Sequence, residues 1–512
     1  MLMQRLSVAR TLVLVASLTI IALALYKLHL ANQGVQVTKE MLGPTPVQVF
    51  RDSTDGAQSK PVVVISHGFA GSQQLMQGFA VNLAKNGYIA VSFDYFGHGA
   101  NGEALSGDVT QIEGATQSLL EQTRAVTDFA KALPDANGKL AVLGHSMASD
   151  IIVRFAQSYS GIDAVVAVSM FSPAVTPEKP RNLLVIVGGL EGFLKAEALR
   201  VLAMVTDSPT AGQTVQSEGA AGARRVAFAP GVEHVGVLYS ATSMLEATQW
   251  LDQHLGHQSR AYVDARGPWI MLLLLGVGAL AWPLSGLLPR VSKRAVGASL
   301  RWKPLLIATA IPAVATPLLL VAFPSDFLGV LVGGYLAVHF FVFGAISALC
   351  AFWLRRETTV QGAAIRWPAM VFASVLTTLY CAVLVNALLN EYVTSFAITA
   401  LRLPLLLAML VGTLCYFMAD EWLAHGEHAV PGAHFSTRLA FLLSLALAVA
   451  LSFEELFFLV IIAAVIIIYF FVYALFSRWI YRATGHPFVG AFANAVAFAW
   501  ALAAVFPFIA ES

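Results

Sequence analysis

Residues 140–149 read LAVLGHSMAS: an apolar, β-prone run that stops at Gly144 and gives way to His145, Ser146 and Met147. The residues that follow, SMASDIIVRFAQ, carry helical spacing, so Ser146 falls at a strand-to-helix junction. A serine on such a turn lifts its Oγ out of the sheet, and the positions two before and two after it must be small. Here they are Gly144 and Ala148. The usual pattern has glycine at both. Ala148 avoids a large side chain but restricts the backbone more than glycine does. Taken alone, the stretch fits a structural turn serine as well as it fits a nucleophile.

Its surroundings narrow the choice. Apolar runs at 61–66, 88–95, 139–144, 164–171, 182–189 and 224–230 alternate with helical patterns that run to about Lys85 and over 111–132, 146–157, 191–204 and 236–256. Each strand is a near-continuous Val/Ile/Leu run. That pattern predicts a mostly parallel sheet with helices on both faces, and ligands in such sheets bind beyond the carboxyl ends of the strands. The loops rich in polar and small residues fall at those ends. HGFAGS (67–72) follows the first of these runs and FGHGANG (96–102) the second; GGLEGF (188–193) closes the fifth and GVEHVG (231–236) the sixth. Residues 208–223 are small and polar and read as a surface loop. Only ten residues, SPAVTPEKPR, separate the fourth and fifth runs, which leaves no room for a lid and predicts an open, shallow site.

A chemistry follows from the chain order nucleophile, acid, histidine. Ser146 would be the nucleophile, His234 its base, and Glu191 the carboxylate that orients the imidazole. Asp207 is a rival acid placed after a further helix, and Glu233 adjoins His234 in sequence. Developing negative charge on a tetrahedral oxygen needs two oriented donors. The backbone N–H groups of Phe69 and Met147 are the candidates. Gly68 and His67 would shape that oxyanion loop. Asp94, His98 and His145 are expected to brace the loops around the site rather than to react.

Composition separates this region from the remainder of the chain. Of 512 residues, 57% are hydrophobic and 12% charged, against about 25% charged in soluble domains. Residues 32–265 hold 15 Lys or Arg and 21 Asp or Glu, whereas 266–512 hold 13 and 9. The domains expected are an N-terminal membrane anchor at 1–31, a soluble domain at 32–262 and a helical membrane domain at 266–512. With a net charge of +1 and no basic tract, nucleic acid is not an expected partner. The three cysteines, Cys350, Cys381 and Cys415, all lie in the apolar half, so the soluble domain has neither a thiolate nucleophile nor a cysteine-based zinc site.

Apolar segments at 11–28, 268–289, 304–323, 327–354, 367–389, 398–419, 436–452, 454–477 and 487–509 predict nine spans. The first has no clean A-x-A-like cleavage site after it and reads as an uncleaved anchor. Arg5 and Arg10 precede it. The loop RVSKRAVGASLRWK (290–303), Arg355, Arg356, Arg366, Arg438, Arg478 and Arg482 fall on the same side, while 324–326, 390–396 and 453–455 are poor in basic residues. The bias predicts a cytoplasmic N-terminus and an extracytoplasmic soluble domain in an inner or plasma membrane. Arg402 is the exception. His339, mid-span, reads either as a functional group or as a satisfied helix–helix contact. Glu454 and Glu455 mark an outer turn. The spacing of His425, His428 and His434 is too unspecific to indicate a metal.

Residues 60–256 resemble the α/β-hydrolase superfamily, in particular its serine hydrolases with monoacylglycerol-lipase-like and serine-aminopeptidase-like members. The HG loop at 67–68, the D-x-x-G-H-G-like segment at 94–99, GHSMA at 144–148, Glu191 and His234 match it in order. The family typically uses aspartate as the acid, and this chain departs at Glu191 and at Ala148. The resemblance implies ester, thioester or amide hydrolysis through an acyl-enzyme, without metal or organic cofactor. The tether between two spans points to a lipid or acyl-ester substrate at the outer membrane–water interface, with small soluble esters and peptides left open. The apolar half carries no such resemblance. Two other readings stay open: a transporter or lipid-handling protein regulated by a hydrolase-like domain, and a non-catalytic interaction module.

Overall fold

The computed structural model describes residues 7–54, 58–107, 112–216, 222–322, 327–354 and 364–510. Arg5, Arg355, Arg356, the 324–326 loop and part of the 208–223 loop lie outside them. The chain divides into two compact units. One is built on a nine-stranded sheet. Its strands are β1 (Val35–Leu42), β2 (Thr45–Asp52), β3 (Lys60–Ser66), β4 (Ile89–Phe93), β5 (Ala136–His145), β6 (Ala164–Val168), β7 (Leu183–Gly188), β8 (Thr214–Gln216) and β9 (Ala223–Ala229). The spatial order is β1-β2-β4-β3-β5-β6-β7-β9-β8. The six central strands are parallel, and antiparallel β1, β2 and β8 extend the two edges. This is the mostly parallel sheet that the apolar runs predict. The edge strands are the addition, with β8 inside what the sequence suggests is a loop.

Burial follows the two-residue period of the strands. Val62, Val64, Leu140, Val142, Val165, Leu183 and Val185 face a core formed with helices α3 (Gln117–Lys131), α4 (Met147–Ser158) and α5 (Gly192–Ala203). Their alternates Val63, Ile65, Leu143, Val166, Leu184 and Ile186 face α2 (Gln77–Lys85) and α6 (Ala241–Leu255). Each central strand is therefore apolar on both faces, which explains its unbroken Val/Ile/Leu run. The end of the first helix, α1 (Val8–Asn32), belongs to this unit, as does the start of α7 (Arg266–Ser285). Arg266 holds both: it makes a buried bidentate pair with Asp264 at 2.8 and 3.0 Å, and it donates to Asn32 Oδ1 at 3.1 Å.

The other unit is helical: α8 (Trp302–Leu320), α9 (Gly333–Leu354), α10 (Trp367–Thr378), α11 (Val385–Tyr392), α12 (Arg402–Ala424), α13 (Ala433–Leu451), α14 (Phe453–Ile461), α15 (Ala463–Thr484) and α16 (Pro487–Val505). Residues 379–384 continue α10 into α11 through a π turn. Among the described residues, nine helices are long and apolar enough to cross a membrane. They are α1, α7, α8, α9, α10 with α11, α12, α13, α15 and α16, and they support a multi-pass integral membrane protein. One boundary moves. The span expected at 454–477 is short α14 followed by α15, because apolarity does not mark the break near Ile462. Arg478 and Arg482 thus lie within the last turns of α15.

Close backbone approach and aromatic packing hold the helices. A Cβ on Gly412 would strike the Ala337 carbonyl oxygen, and one on Gly344 would meet the backbone of Cys415 at 2.5 Å. Phe340 and Phe441 stack with ring centroids 4.6 Å apart. Arg402 has a local reason to break the charge bias. It is buried and donates to the carbonyls of Ala503 at 2.7 Å and Phe506 at 3.0 Å, at the end of α16. His339 Nε2 lies 3.1 Å from Ser444 Oγ and Nδ1 3.3 Å from the Tyr335 hydroxyl, a satisfied helix–helix contact. Asp420 and Glu421, just past the span expected at 398–419, are buried in α12 against Arg438 of α13. His425 stacks on Tyr481 at 3.8 Å and lies 3.0 Å from Glu421. Among the described residues no group of three or more His, Cys, Asp or Glu is arranged to hold a metal.

Gly412→Leu is expected to lower the thermal midpoint of the detergent-solubilised protein, with a cost of about 1–3 kcal/mol typical of overpacking. Gly278→Leu, placed where a Cβ meets open space, is expected to leave the midpoint unchanged.

Candidate active site

The sheet delivers its functional side chains at the carboxyl ends of neighbouring strands. Ser146 follows β5 directly and precedes α4, with φ 55° and ψ −119°. Positive φ is costly for a residue with a Cβ. The turn is held by the Ser146 N–H, which donates to Val168 O at 2.9 Å. It is also packed tightly. A Cβ on Gly144 would stand 2.7 Å from Ala148 O, so glycine is required there, whereas the Ala148 methyl is accommodated in the core.

His234 lies in the loop after β9, with Nε2 2.8 Å from Ser146 Oγ and Nδ1 2.6 Å from Glu191 Oε1. A carboxylate only accepts, so the network places the ring proton on Nδ1 and leaves Nε2 to receive the serine proton. Glu191 sits three residues beyond β7. Its second oxygen, Oε2, accepts from Ser169 Oγ at 2.7 Å and from the Gly188 N–H at 2.6 Å. Burial alone would raise its pKa. The hydrogen bonds from His234, Ser169 and Gly188 outweigh burial and hold the carboxyl below its ordinary value. Its side chain is 7% exposed, that of His234 27%, so the imidazole edge remains reachable. Asp207 is exposed and beyond α5. Glu233 accepts the N–H groups of Val235 and Gly236, each at 2.8 Å.

The loop after β3 passes close to the serine. A Cβ on Gly68 would come within 2.9 Å of Ser146 Cβ and 3.0 Å of His145 O. Phe69 follows it, half-buried. Met147 is the first residue of α4, where backbone N–H groups have no intrahelical acceptor. Asp94 ties this loop to the next: it accepts from Gln73 N at 2.7 Å and Ala100 N at 2.9 Å. His67 Nε2 accepts from Tyr95 N at 3.0 Å, and His98 stands edge-on to Phe69 with centroids 6.2 Å apart. His145 Nε2 donates to His234 O at 2.9 Å, and so fixes the backbone of the loop that carries His234.

Three features escape the sequence reading. Ser169, inside a predicted strand, instead leaves it at φ 50° and supports Glu191. The Gly188 N–H has no side-chain signature. Phe171, Leu190 and Phe193 form an exposed apolar rim beside Glu191 (52%, 68% and 72% exposed), with the two phenyl rings 5.7 Å apart. Only the flanking of Glu191 by Leu190 and Phe193 hints at that rim.

Comparison with known proteins agrees with this architecture. Residues 57–253 match the model of the family described as serine aminopeptidase, S33. No curated protein matches the chain. Among solved structures, a dienelactone hydrolase from Anabaena variabilis is 18% identical, with 44% of this chain and 100% of that one covered, at a TM-score of 0.33. A soluble variant of monoglyceride lipase from Saccharomyces cerevisiae, in complex with a substrate analog, is 13% identical, with 44% and 96% covered, at 0.32. A predicted CIB-like hydrolase from Thermoplasma acidophilum is 15% identical, with 42% and 96% covered, at 0.32. The sheet topology and the 57–253 match together give an α/β-hydrolase-fold domain, to which the chain joins a separate multi-helix membrane region.

Burial also sets a pH dependence. It pushes the His145 imidazole down to about 3, with His234 adding to the effect, and pushes His67 below its ordinary 6.5 against the opposing pull of Asp94. Below pH 6.5 the unfolded chain binds protons that these two folded sites refuse, so stability falls as pH drops from there toward 3. The Asp94 carboxyl, raised by burial, acts in the opposite sense at the acid end. The thermal midpoint is expected to fall between about pH 7 and about pH 5, and to fall less in His145→Gln.

Proposed function

We propose that this protein is a membrane-bound serine hydrolase that cleaves ester or amide bonds through an acyl-enzyme. The observation that carries the reading is the continuous chain Ser146 Oγ–His234–Glu191, closed at 2.8 and 2.6 Å. Ser146 Oγ attacks the substrate carbonyl carbon as His234 Nε2 takes its proton. The imidazolium is stabilised by Glu191, whose carboxylate stays ionised. The N–H groups of Phe69 and Met147 receive the charge on the carbonyl oxygen. His234 then protonates the leaving alcohol or amine. Water, deprotonated by the same imidazole, attacks the acyl carbon and frees Ser146. Every proton moves between Ser146, His234 and the substrate or water, and the cycle draws on no cofactor.

The exposed rim of Phe171, Leu190 and Phe193 supports a substrate with an apolar portion, such as a lipid or acyl ester. The charge bias between spans supports a cytoplasmic N-terminus and an extracytoplasmic hydrolase domain. A second reading, in which the helices have an activity of their own, is favoured by the buried Asp420, Glu421, Arg438 and His425. Loss of all cellular function in Ser146→Ala would remove that second reading.

A fluorophosphonate probe is expected to label the wild type and not Ser146→Ala. A folded wild type that does not label sinks the acyl-enzyme. Glu191→Gln is expected to lower kcat by about 10³–10⁴-fold, since an amide at that position no longer enforces the Nδ1–H tautomer. Protease added outside intact cells is expected to cut the exposed turn at 207–213, before β8. Cleavage only after permeabilisation would reverse the proposed orientation.

A further inference from the structure

Residues 390–397 are the end of α11 and the start of the connection to α12, and residues 507–510 follow α16. Both lie far outside the stretch that matches the hydrolase family, yet both belong to the compact unit built on the sheet. Their contacts there are specific. Ser72 is fully buried at the end of the loop that carries Gly68 and Phe69. Its Oγ accepts from Ser395 N at 2.8 Å and lies 3.1 Å from Thr394 Oγ1. Asn390 Oδ1, near the end of α11, accepts from Phe396 N at 2.8 Å and so holds the segment that follows the helix, in which Ser395 is buried.

The second segment pairs with the neighbouring loop. Phe508 N donates to Gly97 O at 2.9 Å, Phe508 O accepts from Leu105 N at 2.8 Å, and Ala510 N donates to Leu105 O at 2.9 Å. Ile509 and Leu105 form a parallel bridge. Gly97 adopts φ 73°, and a Cβ there would strike Phe508 O, so glycine serves this pairing on two counts. The two braced loops are themselves joined through Asp94, which accepts from Gln73 N on one side and Ala100 N on the other.

Within the 67–76 loop, the backbone hydrogen bonds include short-range turns such as Gly71 N to Gly68 O at 3.1 Å and Leu75 N to Ser72 O at 3.0 Å, while His67 and Gln73 tie it to Tyr95 and Asp94 and Ser72 ties it to 394–395. The turns shape the loop, and the Ser72 contacts add an anchor three residues beyond Phe69 that comes from outside the family-matched stretch. We propose that 394–395 and 508–510 are positioning segments of the active site. They set the placement of the Phe69 N–H, directly through Ser72 and indirectly through Gly97, Leu105 and Asp94. The inference rests on the serine-hydrolase reading. A donor aimed at developing charge loses most of its effect when it shifts by an ångström, while ground-state binding changes little. The segments therefore act on kcat rather than on KM.

The test uses the full-length protein in detergent with a short-chain p-nitrophenyl ester and a fluorophosphonate probe. Ser72→Ala, and separately deletion of 507–512, are each expected to lower kcat and the labelling rate about tenfold, with KM within about twofold of wild type. Thr394→Val, which removes one hydroxyl at the far side of the contact, is expected to give a loss of about threefold in kcat with an unchanged thermal midpoint. It decides the matter should the larger changes impair folding. Variants that match wild-type kcat overturn the positioning role and leave the hydrolase reading standing. A folded wild type that neither labels nor turns over overturns the hydrolase reading itself.

Discussion

A serine held at φ 55° between β5 and α4 is the constraint that the rest of the site serves. The conformation is unfavourable for any residue with a Cβ, and it persists only because its neighbours leave no alternative. Val168 O captures its N–H, Gly144 lets the helix backbone close over the turn, and Gly68 lets the next loop pass within contact distance. The parallel register of β5 with β6 and of β7 with β9 then fixes where the following loops emerge. Glu191 and His234 reach one serine because the ends of those strands lie side by side.

Much of this was legible in the sequence. Strands buried on both faces have no polar alternates, so β3 to β7 and β9 appear as runs that few other structures explain. The loops that close them carry Gly68, Ser146, Glu191 and His234, each in a setting where a merely structural role is less natural. These edge strands were not legible, because β1 (VQVTKEML) is mostly exposed or half-exposed and mixes polar with apolar residues, and β8 (TVQ) is only three residues long. Ser169 was hidden for a different reason. Its role depends on the backbone turning to φ 50° after Val168, and nothing in VSMF announces that turn.

Among the helices the count was legible and the ends were not. Mean apolarity is blind to a break such as that between α14 and α15, where apolar residues continue on both sides. Charge was informative about loops and misleading about Arg402, whose place is set by the carbonyls at the end of α16. Asp420 and Glu421 show the same limit from the other direction. Two adjacent acids near a segment end suggest a solvated loop, and only the position of Arg438 on α13 shows why they are buried.

The Asp264–Arg266 pair has a consequence for how the sheet unit is joined to its neighbouring helices. Arg266 also donates to Asn32, and Lys85 donates to the Leu30 carbonyl, so the end of α1 and the start of α7 are bound into the same unit as the sheet. Two residues separate α1 from β1. The sheet unit therefore includes the end of one apolar helix and the start of another as parts of its own fold. A truncation that removes either helix would thus also remove contacts that belong to the sheet unit itself, so the two are not detachable anchors on slack linkers.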